Sequence, residues 1–526
     1  MELLPVGRSM PVGRRGMTVS SQPLATAAGL DVLKRGGNAV DATVAMAGVL
    51  NVVEPMSTGV GGDAFILIYL AKSRELKALN ASGRAPAAAT REYFQEKKIA
   101  AIPDTGMLPV TVPGALDGWA LVAERHGTMG LGDLLEPAIR YAEEGFPVAE
   151  KTAREWARAA GKLAAHPSAA GYLPDGRAPK AGEIFRQKNL AASLKKIAAG
   201  GKDVFYHGEL GQEIVRFSEK NGGLLSLEDF AGHASTWVEP IKTTYRGYEV
   251  VEMPPNTQGL TVLQMLNMLE RFDVRALGFG SADYIHLLVE IKKLAFADRD
   301  RYLADPEAVD VPTEKLIAKS YAAERVRRID PARAQIHPPG LGPVSGDTQV
   351  FCAVDEDGNA VSFINSLYES FGCGRVGGDT GIMLHNRGVL FSLDPAHPNR
   401  VAPRKRPMHT IMPAMVFKDG RPFLIFGVTG AHMQPQGQVE MLSNLIDFDM
   451  TLQQAMDAPR VNSVEGFEVA LEPAFPAGVR EELARRGHKI SSAANFGGSQ
   501  GILIHPEYGT LLGGSDPRKD GCALGY

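Results

Sequence analysis

The pattern of apolar and polar positions divides the chain into a helix-rich first part and a strand-rich second part. Up to residue 335, apolar residues recur mostly at intervals of three and four, which predicts helices with a buried face. The predicted helices are Pro23–Lys34, Asn38–Val53, Gly114–His126, Leu131–Glu144, Ala149–Ala164, Gln187–Ala199, Leu210–Asn221, Thr261–Arg271 and Ala282–Leu303. Within this part, strands are predicted at 64–70, from residue 76 onward and at 245–253.

Past residue 348, short apolar runs alternate with glycine-rich turns, a pattern typical of strands. The predicted strands are 348–354, 361–367, Gly381–Leu384, Ala414–Phe417, Phe423–Val428 and Gln500–Ile504, with helices at Gln434–Ile446 and Leu452–Asp457. We therefore expect one α/β catalytic unit built from two segments, residues 1–347 and 348–526.

Two of these strands form a predicted β-hairpin. The turn-forming residues 356–359 separate them. A three-residue loop at 356–358 pairs Ala360 with Val354 and places Ser366 opposite Thr348, with their side chains about 5 Å apart. A four-residue loop would place Leu367 there instead, so both registers stay open at this point.

The stretch before Thr348 is unlike a helix or a central strand. Residues 333–345 contain three prolines and two glycines, which disfavour both structures. An ordinary hairpin following a loop is one interpretation. The other is a self-cleaving junction between Asp347 and Thr348, after which the free α-amine of Thr348 would activate its own hydroxyl as a nucleophile.

Composition and charge exclude several classes of protein. The 526 residues are 44% hydrophobic and 22% charged, with a net charge of −4, which argues against a polyanion-binding protein. No apolar run approaches the roughly 20 residues of a membrane span, and Pro, Gly and Arg interrupt the first eight residues, unlike a signal peptide. We expect a cytoplasmic protein without nucleic-acid or membrane partners.

Three formal motifs do not lead to a cofactor or metal site. The G-x-G-x-x-G at 372–377 is followed by more turn residues, whereas a dinucleotide site requires a helix there. The G-x-S-x-G at 497–501 precedes a strand, whereas a nucleophile elbow leads into a helix. The twelve histidines include no H-x-x-x-H pair on a helix, and no two of the three cysteines have zinc-like spacing. We expect neither metal nor cofactor.

The chain resembles the γ-glutamyltransferase family of N-terminal nucleophile (Ntn) hydrolases. Short matching stretches occur in the family's order over nearly the whole chain. The matching stretches are Gly36–Ala42, Ser57–Asp63, Val112–Gly114, Asp298-Arg299, Asp355–Val361, Phe371–Gly374, Lys405–Pro407, Asp457–Arg460 and Ser515–Arg518. The resemblance implies a four-layer αββα sandwich and a precursor that cuts itself into large and small subunits. A homodimer of such subunit pairs is left open.

The resemblance also implies roles for individual residues. Thr348 stands at the position of the nucleophile, and Ser366 at that of its supporting hydroxyl. Gly430 and Ala431 stand where two backbone N–H groups form the oxyanion hole, a role that an Ala can also fill.

Several positions depart from the glutamyl-specific members of the family. Leu390 replaces the Asp that holds the substrate α-amine, Arg387 replaces a Gln, and Tyr368 replaces an Asn. His409-Thr410 stands where those members have paired serines. Arg84 lies two residues beyond the position of the carboxylate-binding Arg. The resemblance leads us to expect substrate contacts from Arg84, Tyr368, Arg387, His409 and Thr410. For Arg84 and Arg387 surface or structural ion pairing is the alternative, and for Tyr368 it is core packing.

Together these features predict a self-processing Thr-nucleophile amidohydrolase. Loss of the amine acceptor and gain of an Arg suit an acyl group with a carboxylate but no α-amine. Two subgroups of the family resemble the chain more than the glutamyl-specific members do: the cephalosporin acylases and the oxamate amidohydrolase type. The pattern at 384–388 and 393–399 resembles the latter. The alternatives are a conventional γ-glutamyl (glutathione) hydrolase or transpeptidase, and an unprocessed, catalytically silent relative.

Overall fold

Two large antiparallel sheets form the centre of the molecule. The computed structural model describes residues 8–337, 347–493 and 496–526. In order across the first sheet, here called the nucleophile sheet, the strands are Cys522–Gly525 (β19), Met17–Ser20 (β2), Asp347–Val354 (β10), Ala360–Tyr368 (β11), Asp63–Leu70 (β3), Glu75–Ala81 (β4) and Thr236–Val238 (β7). Across the second sheet they are Val12–Gly13 (β1), Leu511–Ser515 (β18), Ser499–Ile504 (β17), Arg421–Val428 (β13), Ala414–Lys418 (β12), Tyr248–Glu252 (β9) and Ile241–Tyr245 (β8).

The structure also contains two small sheets and a set of α-helices, besides short 3-10 helices. The small sheets comprise Phe146–Pro147 (β5) with Ile184–Phe185 (β6), and Val461–Ser463 (β14), Glu468–Leu471 (β15) and Lys489–Ser492 (β16). The α-helices are Pro23–Lys34 (α1), Ala39–Val53 (α2), Arg91–Glu96 (α3), Ala115–His126 (α4), Leu131–Glu144 (α5), Glu150–Ala164 (α6), Lys188–Gly200 (α7), Asp203–Tyr206 (α8), Glu209–Lys220 (α9), Leu227–Ala231 (α10), Gly259–Leu269 (α11), Val274–Leu277 (α12), Ala282–Tyr302 (α13), Thr313–Leu316 (α14), Lys319–Arg325 (α15), Met433–Ile446 (α16), Leu452–Asp457 (α17) and Ala477–Arg485 (α18).

Helices cover the outer face of each large sheet, so the predicted αββα sandwich is confirmed. Helices α1, α2 and α4 pack on the nucleophile sheet, and α11, α16 and α17 pack on the second sheet. Strand β10 is buried on both faces: Val350 and Cys352 face the core between the sheets, whereas Phe351 and Ala353 face the helices. Because strand side chains alternate between faces, Thr348 lies on the side between the two sheets.

The sequence pattern predicted helices α1 and α2 correctly. Helix α1 has the predicted bounds, and α2 begins after Asn38, whose side chain forms a capping box with Asp41. The predicted strand Gly381–Leu384 is wrong. There the backbone bonds to 373–377 in a loop, and Gly381, with φ of 71°, adopts the left-handed conformation.

Strands from before and after residue 347 are interleaved in both sheets. In the nucleophile sheet, β2 lies between β10 and β19, so an early strand is flanked by two late ones. No helix in the described ranges is long and apolar enough to cross a bilayer.

Candidate active site

The hairpin β10–β11 brings the hydroxyls of Thr348 and Ser366 together. Val354 pairs with Ala360, as the three-residue-loop count predicted. The Oγ1 of Thr348 lies 3.1 Å from the Oγ of Ser366, and both residues are buried. The four-residue loop is therefore wrong. The register holds from Val354 to Gln349 and shifts between Gln349 and Asp347, which pairs with Tyr368.

Ser366 is the centre of a buried hydrogen-bond network. Its Oγ accepts a hydrogen bond of 2.8 Å from the backbone N–H of Tyr368 and one of 3.1 Å from Nη2 of Arg387. Nη1 of Arg387 donates to Oγ1 of Thr410 at 2.9 Å. A hydroxyl has two acceptor lone pairs and one proton. Two donors therefore point at Ser366 Oγ, and either hydroxyl can be the donor in its contact with Thr348 Oγ1.

Behind Arg387, Asp63 provides a buried negative charge. One oxygen of Asp63 accepts from the N–H of Gly83 at 2.8 Å, and the other accepts from Nε2 of His409 at 3.1 Å. The same oxygen lies 3.9 Å from Nε of Arg387 and 3.9 Å from Nδ1 of His385. Burial alone would raise the pKa of Asp63, but the hydrogen bond from His409 and the charge of Arg387 hold that pKa below its usual value.

The two histidines beside Asp63 are neutral, and Arg387 is charged. Nε2 of His385 is 3.0 Å from the carbonyl of Thr111, and its Nδ1 accepts from the N–H of Arg387 at 3.0 Å, which fixes the tautomer. Burial, reinforced by Arg387, lowers the pKa of His409 to about 3. Burial lowers the pKa of Arg387 to about 10, so the guanidinium keeps its charge at neutral pH.

An apolar cluster forms one side of this network. Tyr368, Leu390, Met408 and Ala431 pack together, and the guanidinium of Arg387 lies 4.4 Å from the centre of the Tyr368 ring. The Tyr368 hydroxyl has no hydrogen-bond partner within the described ranges. A buried hydroxyl without a partner is costly, so this oxygen is suited to bind a polar ligand group.

Gly430 and Ala431 follow the central strand β13 and both have positive φ, 105° and 47°. Among the described residues, neither N–H donates a hydrogen bond. Gln258 holds the segment in place, because its Nε2 donates to the carbonyls of Thr410 at 2.8 Å and Ala431 at 2.9 Å. Two backbone N–H groups are thus without an acceptor among the described residues, and Ala431 belongs to the same apolar cluster as Tyr368.

Arg84 lies apart from this network. Its Nη2 is 2.8 and 2.9 Å from the two carboxylate oxygens of Glu307, and its side chain is 26% exposed. This geometry matches the ion-pairing interpretation, and a substrate role for Arg84 stays a prediction. The cleavage junction also stays a prediction: strand β10 begins at Asp347, and residues 338–346 lie outside the described ranges.

Sequence reasoning missed Asp63, His385 and Gln258. The sequence contained a signal for Asp63, because this residue ends the glycine-rich turn. It is also the first residue of β3, where it pairs directly with Ser366. That pairing places Asp63 on the strand next to the one that carries Ser366. The Nε2 of His409 contacts Asp63, which also lies 3.9 Å from Arg387, and a substrate contact of His409 stays a prediction.

The αββα fold, with a threonine hydroxyl at the head of a central strand, defines the class of Ntn hydrolases. The family model described as Gamma-glutamyltranspeptidase matches residues 25–526, and the chain belongs to this family of enzymes.

Similar proteins include acylases and glutathione-hydrolase-like enzymes. The "Glutathione hydrolase-like YwrD proenzyme" of Bacillus subtilis is 41% identical over 98% of this chain and 99% of its own. The "Acylase ACY 1 proenzyme" of a Pseudomonas species is 41% identical over 97% of this chain and 93% of its own. The "Oxamate amidohydrolase proenzyme" of Klebsiella pneumoniae is 35% identical over 98% of this chain and 100% of its own. The crystal structure of cephalosporin acylase from Bacillus halodurans superimposes with a TM-score of 0.94 at 42% identity, covering 99% of this chain and 98% of that one. The predicted likeness to the acylase and oxamate amidohydrolase types is thus confirmed.

Proposed function

We propose that the chain cuts itself between Asp347 and Thr348 and that Thr348 is then the catalytic nucleophile. The α-amine freed by cleavage would take the proton of the Thr348 hydroxyl, whose oxygen attacks the substrate carbonyl. The N–H groups of Gly430 and Ala431 would stabilise the oxyanion. Expulsion of the amine leaves an ester on Thr348, and water hydrolyses the ester to release the acid. The 3.1 Å contact between the hydroxyls of Thr348 and Ser366 supports this assignment.

The preferred substrate is the amide of a small acyl group that carries a second carboxylate and no α-amine. The observation that carries this proposal is the position of Arg387, which reaches both Ser366 and Thr410. Within the described residues no carboxylate is hydrogen-bonded to Arg387, since Asp63 is 3.9 Å away. An incoming carboxylate would gain from that charge. Leu390, packed among apolar side chains, offers an ammonium group no acceptor.

The substrate proposal is tested by comparing two anilides with the processed enzyme. γ-Glutamyl and glutaryl anilide differ only in the α-amine, so the ratio of their kcat/KM values isolates that group. We expect a clear preference for glutaryl anilide, and Leu390→Asp should shift the ratio toward the γ-glutamyl compound. A wild-type preference for the γ-glutamyl anilide would instead favour a conventional glutathione hydrolase, the activity in the name of the Bacillus subtilis relative.

Self-cleavage is tested separately on a denaturing gel. The wild-type chain of 56.3 kDa should split into two bands, whereas Thr348→Ala should stay intact, keep its circular dichroism spectrum and lack activity. Cleavage at 347/348 in the variant would refute the proposal. A wild-type band that persisted on incubation would favour the silent-relative alternative.

A further inference from the structure

A second group of titratable side chains lies away from Thr348, beside helix α13. His286 and Glu290 are one helical turn apart on α13 and therefore share a face. His488 reaches them from the segment between α18 and β16. One ligand atom from each of the three residues lies within 4.8 Å of the other two, and all three side chains are buried.

The surrounding hydrogen bonds leave ligand atoms pointing inward. Nε2 of His286 is 2.8 Å from the carbonyl of Asp330, which fixes the proton there and leaves the Nδ1 lone pair toward His488. Oε1 of Glu290 accepts from Lys293 at 2.7 Å. Its Oε2 has no hydrogen-bond partner in the described part of the chain. Metal-binding histidines and carboxylates commonly have such outer partners, which orient them.

His337 supplies a fourth potential ligand. Its Nε2 lies 3.8 Å from Oε2 of Glu290, the side chain is 9% exposed, and the nitrogen has no hydrogen-bond partner among the described residues. His337 also lines a surface cavity of about 590 Å³ together with Arg327, Arg328, Gln335 and Ile336. His337 thus lies between this cavity and the buried Glu290.

We propose that His286, Glu290, His337 and His488 bind a divalent transition metal of the zinc type. Three imidazole nitrogens and one carboxylate suit Zn²⁺ in tetrahedral coordination, whereas Ca²⁺ and Mg²⁺ require mostly oxygen ligands. The ion replaces the 2.8 Å hydrogen bond between Nδ1 of His286 and Nε2 of His488. The proton of His488 then moves to its Nδ1, which has no partner within the described ranges.

The ligands come from three parts of the chain, so the spacing of histidines along one helix does not reveal them in the sequence. His286, Glu290 and His337 precede residue 347, and His488 follows it. A bound ion therefore ties the chain just before the proposed cleavage junction to the small segment. This role as a staple rests on the proposed cleavage, whereas metal binding itself does not.

The experiment uses the full chain, purified without a histidine tag and treated with chelator. Zinc chloride is titrated in by calorimetry, metal content is measured after dialysis, and the thermal midpoint is recorded with and without zinc. We expect one Zn²⁺ per chain and a higher midpoint with zinc. His337→Gln, at the edge of the cluster, should fold normally and weaken zinc affinity by roughly tenfold or more.

His207→Gln is the matched control, because His207 is exposed on another part of the surface, and it should bind zinc as the wild type does. Cobalt should give the visible spectrum of a tetrahedral site, and calcium should not compete. Absence of stoichiometric zinc, or zinc binding unchanged in both His337→Gln and Glu290→Gln, would overturn the proposal. Neither result bears on cleavage at Thr348, which the gel experiment decides.

Discussion

Arg387 has a buried positive charge that Asp63 balances only in part, across 3.9 Å. Its hydrogen bonds to Ser366 and Thr410 place that charge next to the proposed nucleophile. Two departures from the glutamyl-specific pattern, Arg387 and His409, are therefore coupled, because both contact the same carboxylate.

Arg387→Gln tests this charge. Hydrogen bonds that involve a charged group contribute about 1.5–3 kcal/mol, so kcat/KM for glutaryl anilide should fall roughly 10- to 100-fold. The loss should be similar for the γ-glutamyl anilide, which carries the same carboxylate, and small for butyryl anilide, which lacks it. Arg140→Gln, at an exposed position of α5, is the control and should leave the ratio of glutaryl to butyryl turnover near its wild-type value. Equal losses on glutaryl and butyryl anilide in Arg387→Gln would contradict a role in carboxylate recognition.

His409 makes stability depend on pH. Burial lowers its pKa to about 3 in the folded chain, against about 6.5 when unfolded. Below pH 6.5 the unfolded chain binds a proton that the folded chain excludes, so the stabilisation is present above 6.5 and is lost as the pH falls toward 3. As the pH falls, a histidine buried in its neutral form lowers the free energy of unfolding by up to about 1.4 kcal/mol per pH unit.

His409→Gln keeps a donor for Asp63 but does not titrate. Between pH 7.5 and 5 it should therefore lose about 2 kcal/mol less unfolding free energy than the parent chain. Urea unfolding of the uncut Thr348→Ala chain provides the measurement, and His207→Gln serves as the control. Identical pH slopes in the parent and in His409→Gln would show that His409 is not buried in its neutral form.

At the scale of elements, the glycine-rich turn before β3 sets the distance between that strand and β11. A Cβ placed on Gly62 would lie 2.4 Å from the carbonyl oxygen of Ser366, and one on Gly61 would lie 2.0 Å from that of Met383. Both contacts are with backbone, which cannot rotate away as a side chain can. These close backbone contacts therefore require glycine at positions 61 and 62.

Gly62→Ala should displace Ser366 from Thr348 and slow self-cleavage strongly, with a lower thermal midpoint. Gly161→Ala is the control, because nothing lies within 4 Å of its added Cβ and alanine favours the helix α6 that contains it. Cleavage kinetics on gels and thermal scans measure both effects. Wild-type cleavage in Gly62→Ala would show that the turn does not position Ser366.

Local patterns predicted the elements well because their determinants are close in sequence. The bounds of α1 follow from spacing, and a three-residue turn is enough to predict the pairing of Val354 with Ala360. The surroundings of Arg387 do not follow in this way, because Asp63 and His409 reach it from distant strands and loops. Arg84 illustrates the same limit, since its partner Glu307 lies more than two hundred positions away.

At the scale of the whole molecule, the interleaved sheets should hold the two segments together after cleavage. Strand β2 pairs with β10 on one side and β19 on the other, so separation would break several backbone ladders at once. The cleaved protein should elute as one species on size exclusion even at nanomolar concentration. The segments should part only in denaturant, and elution of the small segment alone would refute this expectation.

The position of β2 also bears on the timing of biosynthesis. Val19 leaves the ribosome early, but its two neighbours in the sheet, Cys352 and Ala523, are translated much later. The edge of the nucleophile sheet therefore cannot close while the chain is still being made, and such distant pairings form slowly. Since the proposed cleavage needs Thr348 seated in that sheet, it is a post-translational event, and ribosome-bound chains stalled before residue 522 should remain uncut.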